Sequence, residues 1–319
     1  MPLTIARGLA VAQQVFQGCV LRSLSCKVPR VSVDDLHSEA QTVCRIAREA
    51  GRLAHGYFEA WHGSGKAVQV DFKDADEPVT AADRAVSDFC IAALRAAFPT
   101  DAILSEEIPD DGARQSARRT WLIDPIDGTK DFIAGRPGYS VMIGLLSDCV
   151  PVIGVVYQPI VDALWWAVAG QGAYQCIGDA APQRMHVSDV CDLASARMVS
   201  SASVREPLIA EMRKRAGIRD DFQIGSVGIK LALLGAGERD LYVNPASKTK
   251  LWDTAAPEVI LHEAGGRLTD LYGRPLRYDG QLAHMDGLVA SNGRLHDVAL
   301  AQVASLIGGR KPKLPDSGS

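Results

Sequence analysis

The stretch Trp121–Phe132 reads WLIDPIDGTKDF. An apolar run closes on Asp124 and Asp127, with Pro125 between them and Gly128-Thr129-Lys130 behind. Acids follow apolar runs elsewhere too: Ile103-Leu104-Ser105 leads into Glu106 and Glu107, and Leu251-Trp252 leads into Asp253. Each has an ordinary structural explanation. Asp124 and Asp253 fit helix N-caps, Asp124 with Pro125 in the first helical position. Glu106 and Glu107 fit a solvated loop, and Asp127-Gly128 a common turn. Together they point to shared chemistry. Two carboxylates about 5 Å apart repel by roughly 3 kcal/mol at an effective dielectric of about 20, so a fold that gathers them needs cations or protons between them. The donors are hard oxygens, with no His or Cys at ligand spacing nearby, which favours Mg2+, Mn2+ or Ca2+ over Zn2+. Mg2+ held by few carboxylates completes its shell with water and substrate phosphate. Gly128 admits close backbone approach, and amides at a helix start point at an anion; Lys130 adds positive charge or is simply a surface lysine. The chemistry implied is metal-assisted hydrolysis of a phosphate ester.

These residues need elements that bring them together. From Asp34 the apolar positions Leu36, Ala40, Val43, Ala47, Ala50 and Leu53 follow one helical stripe, broken by Gly63 and Gly65. Val68–Phe72 alternates like a strand. A second helix starts near Thr80, where Thr80 and Asp83 resemble a capping box, and ends before Pro99. Ala102–Leu104 and Trp121–Ile123 read as short buried strands, the latter delivering Asp124 at its end. From Tyr139 to Tyr174, β-rich runs separated by turn residues predict an antiparallel meander. Beyond about Pro182, strands near 197–201, 240–243 and 287–290 alternate with helices near 206–216, 227–236 and 254–264. The fold class expected is α/β: an α+β domain over 34–182 and an α/β domain over 183–308, flanked by an extension (1–33) and a tail (309–319).

The bulk numbers exclude several classes. Of 319 residues 47% are hydrophobic and the formal net charge is -4, without the basic face of a nucleic-acid binder. No segment approaches the roughly 18 unbroken apolar residues of a membrane span. The 7 cysteines are scattered and never spaced C-x-x-C, which fits free thiols in the cytoplasm. Residues 1–33 hold Arg7, Arg22, Lys27 and Arg30 and no acid, so organelle targeting competes with a nonessential extension. The sequence is silent on oligomeric state.

At Asp124–Thr129 and Trp252-Asp253 the chain resembles the inositol monophosphatase superfamily of Mg2+-dependent, lithium-sensitive phosphatases. GTKDF (Gly128–Phe132), GSVGIK (Gly225–Lys230) and WDTAAPEVILHEAGGRLTD (Trp252–Asp270) resemble the 3'(2'),5'-bisphosphate nucleotidases of sulfur metabolism within it. The resemblance implies a layered α-β-α-β-α sandwich and two or three Mg2+ ions. Glu106, Asp124 and the Ile126 carbonyl would hold one, and Asp124, Asp127 and Asp253 another. Thr129 and Asp83 would orient and deprotonate the attacking water. Gly128 and Thr129 would hold the scissile phosphate, and Lys130, Gly225, Ser226 and Lys230 would contact the remainder of a phosphorylated nucleotide. The chain departs from the pattern at Ser201-Ala202-Ser203-Val204, where many nucleotidases carry Arg-Ser-His; Arg205 or Lys230 would then substitute. An inositol or sugar phosphate is the competing substrate, and a catalytically silent regulatory protein the competing class.

Overall fold

The computed structural model describes residues 33–308 except 64–69, 75–76, 202–206 and 248, with backbone alone at 33–35, 70–74 and 77–79. Residues 1–32 of the expected extension and the tail 309–319 lie outside the described residues. Helix α1 (Val33–His62) buries Ala40, Val43, Ala47, Ala50 and Ala54 along the stripe seen in the sequence. Strands β1 (Val70–Asp74) and β2 (Glu77–Thr80) form an antiparallel hairpin that runs directly into α2 (Ala81–Ala97). Thr80 caps α2: its hydroxyl accepts from the Ala82 and Asp83 amides, and its own amide donates to the Asp83 carboxylate at 2.8 Å.

The larger sheet has seven strands in chain order: β3 (Ala102–Ser105), β4 (Arg119–Asp127), β5 (Ser140–Ser147), β6 (Val150–Gln158), β7 (Ala163–Val168), β8 (Gly172–Ile177) and β9 (Gln183–Arg184). Only β3 and β4 are parallel; the others form the expected meander. A five-residue helix α3 (Thr129–Ile133) follows β4. Then come β10 (Arg197–Ser200), α4 (Pro207–Ala216), β11 (Asp220–Gln223), α5 (Val227–Gly235), β12 (Leu241–Asn244), β13 (Thr249–Lys250), α6 (Leu251–Glu263), β14 (Arg267–Thr269), β15 (Ala283–His284), β16 (Leu288–Ser291) and α7 (His296–Leu306). The second sheet is mixed, in the order β11-β10-β12-β16-β14, while β13 and β15 pair separately.

Period-2 burial builds the layers. Val141, Ile143 and Leu145 of β5 share a core with α1 and α2, whereas Met142 shares one with α5, α6 and the second sheet. The opposite face of that sheet, with Met198, Leu241 and Val243, packs on Ile209 and Met212 of α4 and Ala299 and Val303 of α7. The order is therefore helix, sheet, helix, sheet, helix, as the fold class predicted. Gly144 and Gly154 face each other across β5 and β6. A methyl group on either would run into the backbone of Ala255–Ala256 in α6, so the helix rests on bare strand. Among the described residues the cysteines are free, and no helix is long and apolar enough to cross a membrane.

Two buried histidines tie down the second half of the chain. His296 sits between Ser291 and Thr269 hydroxyls at 3.0 and 2.9 Å, and His284 lies 2.8 Å from the Thr254 hydroxyl. Burial pushes both imidazoles down to about 4. The unfolded chain binds these protons below about pH 6.5 while the fold refuses them. Stability is thus full above that pH and falls as pH drops toward 4, by up to roughly 3 kcal/mol for each ring. Urea midpoints measured between pH 7 and 4 should decline, and His296→Asn should flatten the decline. An unchanged slope would contradict the assignment.

Candidate active site

β4 does not stop at Ile123, as the sequence implied. It continues through Asp124 to Asp127 because a bulge absorbs Pro125: Asp124 pairs with Met142 and Asp127 with Ser140, so the segment holds one residue more than its partner. Gly128 then turns with φ 96°, a left-handed conformation, and Gly138 packs so closely that a side chain at 128 would overlap its carbonyl. This turn makes Gly128, rather than Asp124, the N-cap of α3 and sets Thr129 at its first position.

The other acids arrive from neighbouring elements. β3 runs parallel to β4 with Ser105 level with Ile123, and the Glu106 amide donates to the Ile123 carbonyl at 3.1 Å, so Glu106 emerges beside Asp124. Asp253 lies in the first turn of α6, accepting the Lys250 amide at 2.7 Å. Asp83, in the first turn of α2, faces the Thr129 hydroxyl at 3.5 Å; that hydroxyl donates to the Ile126 carbonyl at 3.0 Å.

Electrostatics ties the acids together. Burial, followed by the charges of Glu106, Asp127 and Asp253, holds the Asp124 carboxyl well above its ordinary pKa. Burial and then Asp127 and Glu106 do the same to Asp253. Asp127 is also raised by burial, against the lowering effect of the Ser226 hydroxyl and Lys230. Asp124 Oδ1 is buried and has no hydrogen-bond partner. An orphaned carboxylate oxygen among mutually repelling carboxylates fits a small hard cation. Among the described residues no three Asp, Glu, His or Cys side chains already stand in ligating geometry.

The remaining predicted residues divide. Lys130 is exposed on α3. Ser226 is fully buried and caps α5, donating to Asp127 Oδ2 at 2.5 Å and accepting from the Ile229 amide at 2.9 Å. Lys230 is fully buried, donates to the Gly225 carbonyl at 2.5 Å and lies 5.3 Å from the Tyr242 ring; burial pushes its ammonium down to about 8. Ser203, Val204 and Arg205 lie outside the described residues. No role was expected for Asp131 or for Ser140, whose hydroxyl meets that of Ser226 at 2.9 Å. Gly225 and Ser226, their partners across the fold, lie 94 and 86 residues away in the chain, beyond any local pattern.

This layered fold, with its carboxylates grouped at a glycine turn, is that of a phosphatase class. The inositol monophosphatase family matches residues 35–307, and the chain belongs to it. It is 35% identical over 272 residues to the histidinol-phosphatase of Mycobacterium tuberculosis, covering 84% of this chain and 98% of that one. It is 36% identical over 244 residues to the 3'(2'),5'-bisphosphate nucleotidase CysQ of Aggregatibacter actinomycetemcomitans, covering 75% and 87%. Among solved structures, the IMPase of Thermotoga maritima superposes with a TM-score of 0.71 at 26% identity, over 85% of this chain and 99% of that one.

Proposed function

We propose that the protein is a Mg2+-dependent phosphatase that removes the 3'-phosphate of 3'-phosphoadenosine 5'-phosphate. The observation that carries the metal-dependent chemistry is the buried, unpartnered Asp124 Oδ1 among coupled acids. Glu106, Asp124, Asp127, Asp253 and the Ile126 carbonyl would hold two or three Mg2+ ions, which when bound neutralise the acids and polarise the phosphoryl group. Thr129 and Asp83 orient a water; as the water oxygen attacks phosphorus, the water proton passes to the Thr129 hydroxyl while that hydroxyl's own proton passes to the Asp83 carboxylate. The ester P–O bond breaks, its electron pair stays on the leaving oxygen, which takes a proton from solvent water, Asp83 returns its proton to solvent, and inorganic phosphate departs. The amides of Gly128 and Thr129 hold the phosphoryl oxygens throughout.

Nucleotide preference is supported by the resemblance of the GTKDF and GSVGIK segments to those of nucleotidases, and by a cavity. About 350 Å3 of space lies at the carboxyl ends of β10, β11 and β12, lined by Ser200, Arg213, Gln223 and Asn244. Gln223 is two residues from Gly225, hence within about 7 Å of it along the chain, and on this proposal the nucleoside would extend from the acids toward this space. The second reading is histidinol phosphate, favoured by the near-complete match to the mycobacterial enzyme.

A phosphate-release panel tests both. With Mg2+, the bisphosphorylated nucleotide should exceed histidinol phosphate and inositol monophosphate at least tenfold in kcat/KM, a difference of about 1.4 kcal/mol. EDTA should abolish turnover, and lithium should inhibit it. Histidinol phosphate leading the panel would establish the second reading, and silence on every substrate would favour a binding protein.

A further inference from the structure

Asp131 belongs to none of the expected ligand or substrate positions, yet it is only 2% exposed. Its two oxygens face different partners. Oδ1 accepts from Arg136, whose Nε lies 2.8 Å away and whose Nη2 also reaches it. Oδ2 accepts the amide of Gly225 at 2.8 Å. Two glycines make room for the carboxylate: a methyl on Gly138 would overlap Oδ2, and one on Gly225 would approach it to 2.8 Å. A charge buried this deeply is tolerated only with its partners in place.

The tethered amide starts a segment that ends on Asp127. The Ser226 amide donates to the Gly138 carbonyl at 3.0 Å, the Ser226 hydroxyl to Asp127 Oδ2 at 2.5 Å, and the Gly228 amide to the same oxygen at 2.8 Å. Lys230 folds back onto the Gly225 carbonyl. Loss of the Asp131 tie would leave Gly225–Gly228, which hydrogen-bonds Asp127 Oδ2, held at this end by the Gly138 and Lys230 contacts alone among the described residues.

We infer that Asp131 is a positioning residue for the cation site, orienting Asp127 through Gly225–Gly228 with Arg136 as its counter-charge. The inference rests on the reading of Asp127 as a cation ligand. It gives Ser226 the task of holding that ligand.

Calorimetric titration with Mg2+ alone tests it. Loss of a direct hydrogen-bond partner of a metal ligand costs about 10–100-fold in affinity; acting one step further out, Asp131→Ala should weaken Mg2+ binding by at least about tenfold, the lower end of that range. Asp131→Asn keeps an oxygen for the Gly225 amide and should recover part of it, remaining about three- to tenfold weaker. In turnover assays the Mg2+ concentration giving half-maximal rate should rise more than the substrate KM. An alanine variant with native near-ultraviolet circular dichroism that binds Mg2+ within twofold of the parent overturns the inference. Should that variant not fold, the asparagine variant decides, and parental affinity overturns it equally. A parent chain that binds no Mg2+ overturns the cation-site reading, and this inference with it.

Discussion

Asp124→Asn should lose at least a hundredfold in phosphate release and, in EDTA, melt at a higher temperature than the parent. The two effects have one cause. The Asp124 carboxyl is buried beside Glu106, Asp127 and Asp253, which hold its pKa well above the ordinary value. An acid with a raised folded pKa costs the fold nothing below its unfolded value near 3.9, and stability is then lost as pH rises toward and through the folded value. Asparagine has no charge to lose. The variant's advantage in EDTA should therefore be small near pH 4 and larger at pH 8, with each kcal/mol appearing as about 2–4 °C. Mg2+ should raise the melting temperature of the parent by ligand linkage and do so much less for the variant. The activity loss follows from removing a ligand that serves both proposed ion positions, where several kcal/mol of charge stabilisation are at stake and about 1.4 kcal/mol is a factor of ten. A variant that turns over at the parental rate, or that melts below the parent in EDTA, would refute the account.

The second large effect lies at Thr129. Thr129→Val preserves shape and removes the hydroxyl that bridges the Ile126 carbonyl and Asp83. A residue that positions and deprotonates water contributes about 10²–10⁴-fold to rate. The valine variant should lose that factor in kcat, with KM and Mg2+ affinity nearly unchanged, while Thr129→Ser should stay within about tenfold of the parent. Loss confined to KM would move Thr129 from proton transfer to substrate binding. The 3.5 Å separation from Asp83 is long for a hydrogen bond, and such contacts commonly tighten only when substrate is bound.

The acids were legible because an apolar run ending in a carboxylate is costly wherever it occurs, and the cost shows in a few adjacent letters. The capping box at Thr80 and Asp83 and the meander from Tyr139 were legible for the same reason, since their signals are local. Three kinds of feature were not. β11, Asp220–Gln223, begins with two acids and alternates nothing, so only its pairing with β10 makes it a strand. The run of β4 past Pro125 depends on a bulge that its partner defines. The ties from Asp127 to Ser226 and from Asp131 to Gly225 join positions 99 and 94 residues apart, and their polar letters look like those of any loop.

The paired glycines at 144 and 154 carry a consequence for the acids at the end of β4 and the start of α6. Where helix α6 touches main chain alone, no rotamer can yield to absorb a push. A side chain added at position 154 would be felt as a displacement of the whole rod, and its tip is Asp253. Such a protein would keep every acidic side chain and, on the proposed reading, would still be a poor catalyst, because the gap between two carboxylates had been reset by a methyl group pressed on Ala256, about one helical turn from Asp253.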